Sequence, residues 1–262
     1  MRSSGATDRN PALQDQSAKY SGAGNLQFFG DALAELHGPG GSEVDLMAIG
    51  FVGSRDIPGV ALRNAQAILR WDLRPSLWSH VFLVSDETAG GPDVSGVNIL
   101  EVPIFPRTGK FPQPERNGVQ EGTLGMYADS DLDANVALIA VSMDSTEAQL
   151  VQSRARNYNA DRVRVNLWEL LGSWQGYVWA NGQSANPLRD GFPIPSALYV
   201  EMAFEAIALD LTPGASERNS SPEHIWSGAV WWHDSLEKAQ QKTISGAYVI
   251  RDRGCSLVDA KP

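Results

Sequence analysis

A chain of 262 residues with a formal net charge of -10 and 42% hydrophobic residues has enough apolar side chain for one sizeable core, and its acidity argues against a general nucleic-acid binder, whose surface must be basic. A lone cysteine, Cys255, excludes an internal disulfide, and no Cys and His spacing suggests zinc. No run of 18 apolar residues appears and the first 20 residues lack the apolar core of a signal peptide, so the expected setting is cytoplasmic without a membrane span, delivery by a specialised secretion system or a phage particle remaining compatible.

Residues 1–23 are rich in Ser, Gly, Asn, Asp and Gln and read as a polar mobile arm, leaving 24–262 as one domain. Leu26, Phe29, Leu33 and Leu36 recur at helical spacing before the Gly38-Pro39-Gly40-Gly41 stop. Val44 to Val52 reads as a buried strand and Val60 to Trp71 as a helix; strands follow at Trp78 to Ser85 and Val97 to Ile104. The Pro- and Gly-rich stretch 106–133 is sparsely apolar and reads as a surface insertion, a lid or an interaction arm. Val136 to Val141 is a continuous apolar strand, and Thr146 to Tyr158 a helix with Arg154 and Arg156 on its solvated side. Val163 to Tyr177 mixes aromatics and leucines. From Ser196 to Leu211 the apolar positions have helical period, with Ser196 as N-cap and Thr212-Pro213-Gly214 as the stop. An aromatic run, Trp226 to Trp232, and a hairpin-like Ala247 to Val258 lie in the tail, of which 235–262 reads as a C-terminal extension.

No phosphate-binding glycine loop, dinucleotide glycine triplet or Gly-x-Ser-x-Gly elbow is present, and no cofactor is expected. Ser235-Leu236-Glu237-Lys238 matches Ser-x-x-Lys without its companion motifs, and His224 and His233 match no one-turn metal spacing. His80 stands at the start of an apolar strand, where an imidazole emerges at the edge of a sheet and suits a general base, or else packs as a hydrogen-bonded side chain. Glu101 is a carboxylate within an apolar strand and needs a partner if buried; across an antiparallel pair it would accept the second ring N–H of His80, and on an edge strand it would face water. Ser196 opens a helix, where unpaired N–H groups favour negative charge, and is either an ordinary cap or a nucleophile. Trp226, Trp231 and Trp232 read as core rather than as a ligand platform.

In its order, Trp78-Ser79-His80-Val81, then a strand with an apolar-flanked Glu101, then a strand, a helix and a second helix opening at Ser196, the chain resembles circularly permuted NlpC-type papain-like proteins over roughly Asp45 to Asp234. The resemblance implies an α+β fold, a small antiparallel and partly barrel-like sheet packed on the helix that bears the nucleophile. His80 would be the base, Glu101 its orienting acid and Ser196 the nucleophile in place of the family's cysteine, whether the serine is natural or introduced. In a second register Pro195 takes the cysteine's place and catalysis is abolished. Cys255, with too little chain after it for a supporting helix, is not expected to serve. The implied activity is hydrolysis or transfer at an amide, ester or thioester of a peptidoglycan peptide, lipid or acylated protein; the alternative is an inactive homologue that binds a peptide, acyl chain or protein partner. Oligomeric state is not legible.

Overall fold

The computed structural model describes residues 13–37, 45–85, 93–107, 109–158, 166–180, 183–215, 219–239 and 244–254, the side chains of Asp45 and of 233–239 excepted. In chain order the elements are β1 (Gln14–Asp15), α1 (Asn25–His37), β2 (Asp45–Ser54), α2 (Ile57–Ala65), β3 (His80–Val84), β4 (Asn98–Glu101), β5 (Gln120–Thr123), β6 (Asp133–Met143), α3 (Ser145–Arg156), α4 (Leu167–Trp179), α5 (Pro195–Phe204), α6 (Pro222–Ala239) and β7 (Ile244–Ile250), with short 3-10 turns between. The seven strands form one mixed sheet in the order β1-β7-β6-β2-β3-β4-β5. Every described pairing is antiparallel except the short parallel contact of β1 with β7. The order is linear, and no pairing joins β1 to β5 among the described residues, so the expected partial barrel is not observed.

Side-chain alternation along the strands sends two sets of apolar residues to opposite faces. Met47, Ile49 and Phe51 of β2, with Val81 and Leu83 of β3, pack under residues of α2, α3, α4, α5 and α6. Ala48 and Val52, with Phe82 and Val84, face α1 through Phe28, Phe29, Ala32 and Leu33. Both faces of β2 and β6 are therefore covered, which is why these two read as continuous apolar runs rather than alternating ones.

Several expectations need correcting. Residues 1–12 lie outside the described part, but 13–23 are no free arm: β1 joins the sheet, and Tyr20 is buried with its hydroxyl donating to Asp31 at 2.6 Å. The stretch 106–133 is an integral part of the fold, because it supplies β5 and ends in the first residue of β6. The supposed extension contains β7, paired along β6 near the middle of the sheet. Residues 255–262 lie outside the described part, so the proposed hairpin beyond Gly254 has no structural account. The aromatic run belongs to α6, where Trp226 packs against Phe51, Trp78 and Tyr248.

Helix α3 is held at its start by a capping box: Asp144 accepts from the Glu147 amide at 2.8 Å and Glu147 accepts from the Asp144 amide at 3.2 Å. Asp144→Ala is expected to lower stability by about 1 kcal/mol, visible as a lower urea midpoint with unchanged slope.

Candidate functional site

The site forms where three strands and a helix end together. Ser76 Oγ accepts from the Trp78 amide, Trp78 is buried against Phe51 and Trp226, and the Ser79 hydroxyl both donates to Val52 O and accepts from the Ser54 amide. These contacts fix the entry into β3, whose first residue is His80. Paired with Val52 and alternating with Phe82, the His80 side chain lies on the α1 face of the sheet. Strands β3 and β4 are antiparallel with Leu83 opposite Leu100. One step further along that register Glu101 falls beside Phe82 and reaches diagonally to His80, a spacing that long side chains span.

The structure brings these two together: His80 Nε2 is 2.7 Å from Glu101 Oε2. Glu101 is completely buried, and its Oε2 also accepts the hydroxyl of Tyr127. Burial pushes the Glu101 carboxyl up, but the hydrogen bond and charge of His80, the Tyr127 hydroxyl and the nearby Arg107 outweigh it and hold the group below its ordinary value. An ionised Glu101 requires N–H on Nε2 of His80, so the lone pair of the neutral ring resides on Nδ1, a tautomer assigned from the hydrogen bond. Burial first, then the Glu101 charge, pushes Tyr127 well above its ordinary value, keeping it a donor. Room for the carboxylate comes from Gly122 on β5, where a Cβ would stand 3.3 Å from Glu101 Oε1 and 2.7 Å from the sulfur of Met126.

Arg107 borders this cluster. It donates to Asp133 at 2.7 Å and to Ser54 Oγ at 3.3 Å, and its guanidinium lies 4.9 Å from the centre of the Tyr127 ring. Asp133 is wholly buried, and burial raises its carboxyl above the usual value despite the opposing charge of Arg107. A recess of about 40 Å³ opens at this point, bounded by Ser79 and His80, by Ser54 and Asp56, by the first turn and a half of α2 (Pro58, Gly59, Leu62), by Pro103 to Phe105, and by Arg107 and Tyr127.

The third expected residue is not brought to this place. Ser196 lies in the first turn of α5, a helix buried along its whole length among side chains of the opposite sheet face. Its hydroxyl is buried with no hydrogen-bond partner, and Ser196 does not line the recess. Nor is it the N-cap: Ile194 holds that position, with Pro195 opening the helix. The helix start that borders His80 is that of α2, capped by Asp56, which accepts from the Gly59 amide at 2.7 Å. Of the remaining candidates, His224 does not line the recess and bonds locally to Asn219 O, whereas the side chains of His233 and of Ser235 to Lys238, and Cys255, fall outside what is described.

Arg107, Tyr127 and Asp133 were not singled out from the sequence. They sit within or at the end of the stretch read as an excursion, which is anchored by the pairing of β5 with β4 and by Asn25, whose amide donates to the carbonyls of Tyr127 and Asp133 at 2.9 and 2.8 Å from the start of α1. Among the described residues no group of three or more His, Cys, Asp or Glu side chains could hold a metal ion, and no helix is long and apolar enough to cross a membrane. Comparison of the chain with protein-family models, with curated proteins and with solved structures gave no match.

Proposed function

We propose that the recess at the start of β3 is a site of hydrolysis or acyl transfer at an amide, ester or thioester, with His80 as general base and Glu101 orienting it. The observation that carries this reading is the 2.7 Å contact between His80 Nε2 and Glu101 Oε2, which assigns one ring nitrogen to a buried carboxylate and leaves the other for chemistry. About 40 Å³ suits a water molecule and a reacting carbonyl rather than a whole ligand. Nδ1 takes a proton from water, or from an acceptor hydroxyl or amine of the substrate, as its oxygen or nitrogen bonds to the carbonyl carbon. The tetrahedral intermediate then expels the amine, alcohol or thiol, which leaves with that proton. Arg107, on the wall of the recess, faces the negative charge that develops on the carbonyl oxygen.

The resemblance to permuted NlpC-type proteins supports His80 and Glu101 in these roles and suggests peptidoglycan peptides, lipids or acylated proteins as substrates. Its nucleophile is not retained, because the Ser196 hydroxyl is enclosed on the other side of the sheet. That same enclosure favours a second reading, a non-catalytic cleft that binds a peptide or acyl group.

Short-chain p-nitrophenyl esters and thioesters separate the readings. His80→Ala is expected to lose about 10²- to 10⁴-fold in kcat/KM. Ser196→Ala is expected to keep the wild-type rate and to be as stable as wild type or slightly more so, since it removes a buried hydroxyl without a hydrogen bond. Loss of turnover in a folded Ser196→Ala protein would refute the assignment of the base to an external nucleophile. Ligand binding without turnover, insensitive to His80, would establish the binding reading instead.

A further inference from the structure

The recess is too small for a substrate, so whatever is attached to the reacting carbonyl must lie over its rim, and one side of that rim is aromatic. Phe105 lines the recess and meets the ring of Trp179 edge to face, with centroids 5.4 Å apart. Trp179, the last residue of α4, does not line the recess itself but stands against Phe105 and is 63% exposed, so its indole extends the apolar surface of Phe105 outward to solvent. The platform is held firmly from beneath: Gln175 on α4 donates to Ile104 O at 3.0 Å, tying the helix to the segment that carries Phe105, and Phe105 packs on the larger core. Charge on the other side of the recess points the same way. Arg107, the guanidinium on the recess wall, is already paired with Asp133 at 2.7 Å and lies 4.0 Å from Asp56, which also lines the recess, so it holds little attraction for a full carboxylate carried by the substrate on top of the charge developing at the reacting carbonyl.

We infer that Phe105 and Trp179 form an acyl-group subsite, selecting an uncharged apolar chain or ring next to the scissile carbonyl and rejecting a carboxylate-bearing one. This rests on the hydrolytic reading of the recess, and binding can test it apart from turnover. In the His80→Ala protein, hexanamide is expected to shift tryptophan emission to the blue at saturable concentration, with succinamate binding far more weakly. Adding Trp179→Ala is expected to weaken hexanamide about tenfold or more, whereas Trp71→Ala, which removes a 95% exposed indole away from the recess, leaves it unchanged. In the parent protein, Trp179→Ala should raise KM for p-nitrophenyl hexanoate with kcat and the acetate ester little changed. Equal hexanamide affinity with and without Trp179, or equal use of succinyl and hexanoyl esters, would overturn the subsite. Binding as expected with no turnover of any ester would retain the subsite and remove only the hydrolytic reading.

Discussion

Arg107→Met is expected to destabilise the protein by about 3–5 kcal/mol at neutral pH, a large share of the total stability of an ordinary domain. Its Nη1 is 2.7 Å from Asp133, whose side chain is completely buried and whose second carboxylate oxygen has no hydrogen-bond partner. Methionine fills much of the same space but leaves that carboxyl without its counter-charge. Burial already raises the Asp133 carboxyl above its ordinary 3.8 in the presence of Arg107, and removing the guanidinium raises it further. A folded-state value above the unfolded one means that the native variant takes up a proton more readily than the unfolded chain. Its stability deficit is therefore greatest above the raised value and shrinks as pH falls through it towards 3.8. Urea unfolding at pH 7 and pH 5 measures the difference. Arg107→Met combined with Asp133→Leu should recover much of the loss, since an apolar pair replaces a buried ionic one at little cost. An equal deficit at both pH values, or no recovery in the double variant, would show that the pair is not coupled as its geometry indicates.

How much of this was legible depended on whether a residue's partner was close along the chain. Helix α1 was readable because its period and its glycine stop are local, and β2 and β6 because both of their faces are apolar. Helix α2 starts earlier than its apolar period indicates: Asp56 caps it and Pro58 sits in its first turn, a start signal masked by the more apolar Val60 to Leu69. For α5 the period ran on to Leu211, but the helix gives way to a 3-10 turn ending at Ala208, held at φ +54°. Serine at the head of α5 carried the signature of a cap, yet the chain enters through Ile194-Pro195, and proline at the first position takes the serine's place in the turn. His80 and Glu101 could be paired on paper because two apolar strands in succession make an antiparallel neighbour the simplest topology. Tyr127, Arg107 and Asp133 could not, since no periodicity marks them and their places depend on Asn25 and the register of β6 with β2.

Gly50→Val is expected to disturb the site from a position that touches none of its polar groups. Gly50 lies between Phe82 on β3 and Leu138 on β6, and a Cβ added there would meet the Phe82 ring at 2.1 Å. A real side chain must push that ring away, an overpacking that costs about 1–3 kcal/mol. Phe82 in turn lies parallel to Tyr127, with centroids 5.1 Å apart and planes 3° from each other, and the Tyr127 hydroxyl holds Glu101. Displacement of the ring stack pulls a donor from a fully buried carboxylate. The depression of the Glu101 value is then reduced, because the burial that raises it is unchanged while one of the bonds that lowers it is gone. In the parent protein the stability carried by ionised Glu101 is present above the ordinary 4.5 and is lost as pH falls from there through the lower folded-state value; in Gly50→Val the loss still begins near 4.5 but is smaller and is complete at a higher pH. Thermal unfolding between pH 3 and 7 reads this as a lower stability at neutral pH with a shallower drop across the acid limb, and Gly50→Val with Phe82→Leu, which makes room for the new side chain, should return part of it. A Gly50→Val protein with wild-type stability and an unmoved acid limb would sever the proposed path from β2 through the aromatic stack to the His80 ring.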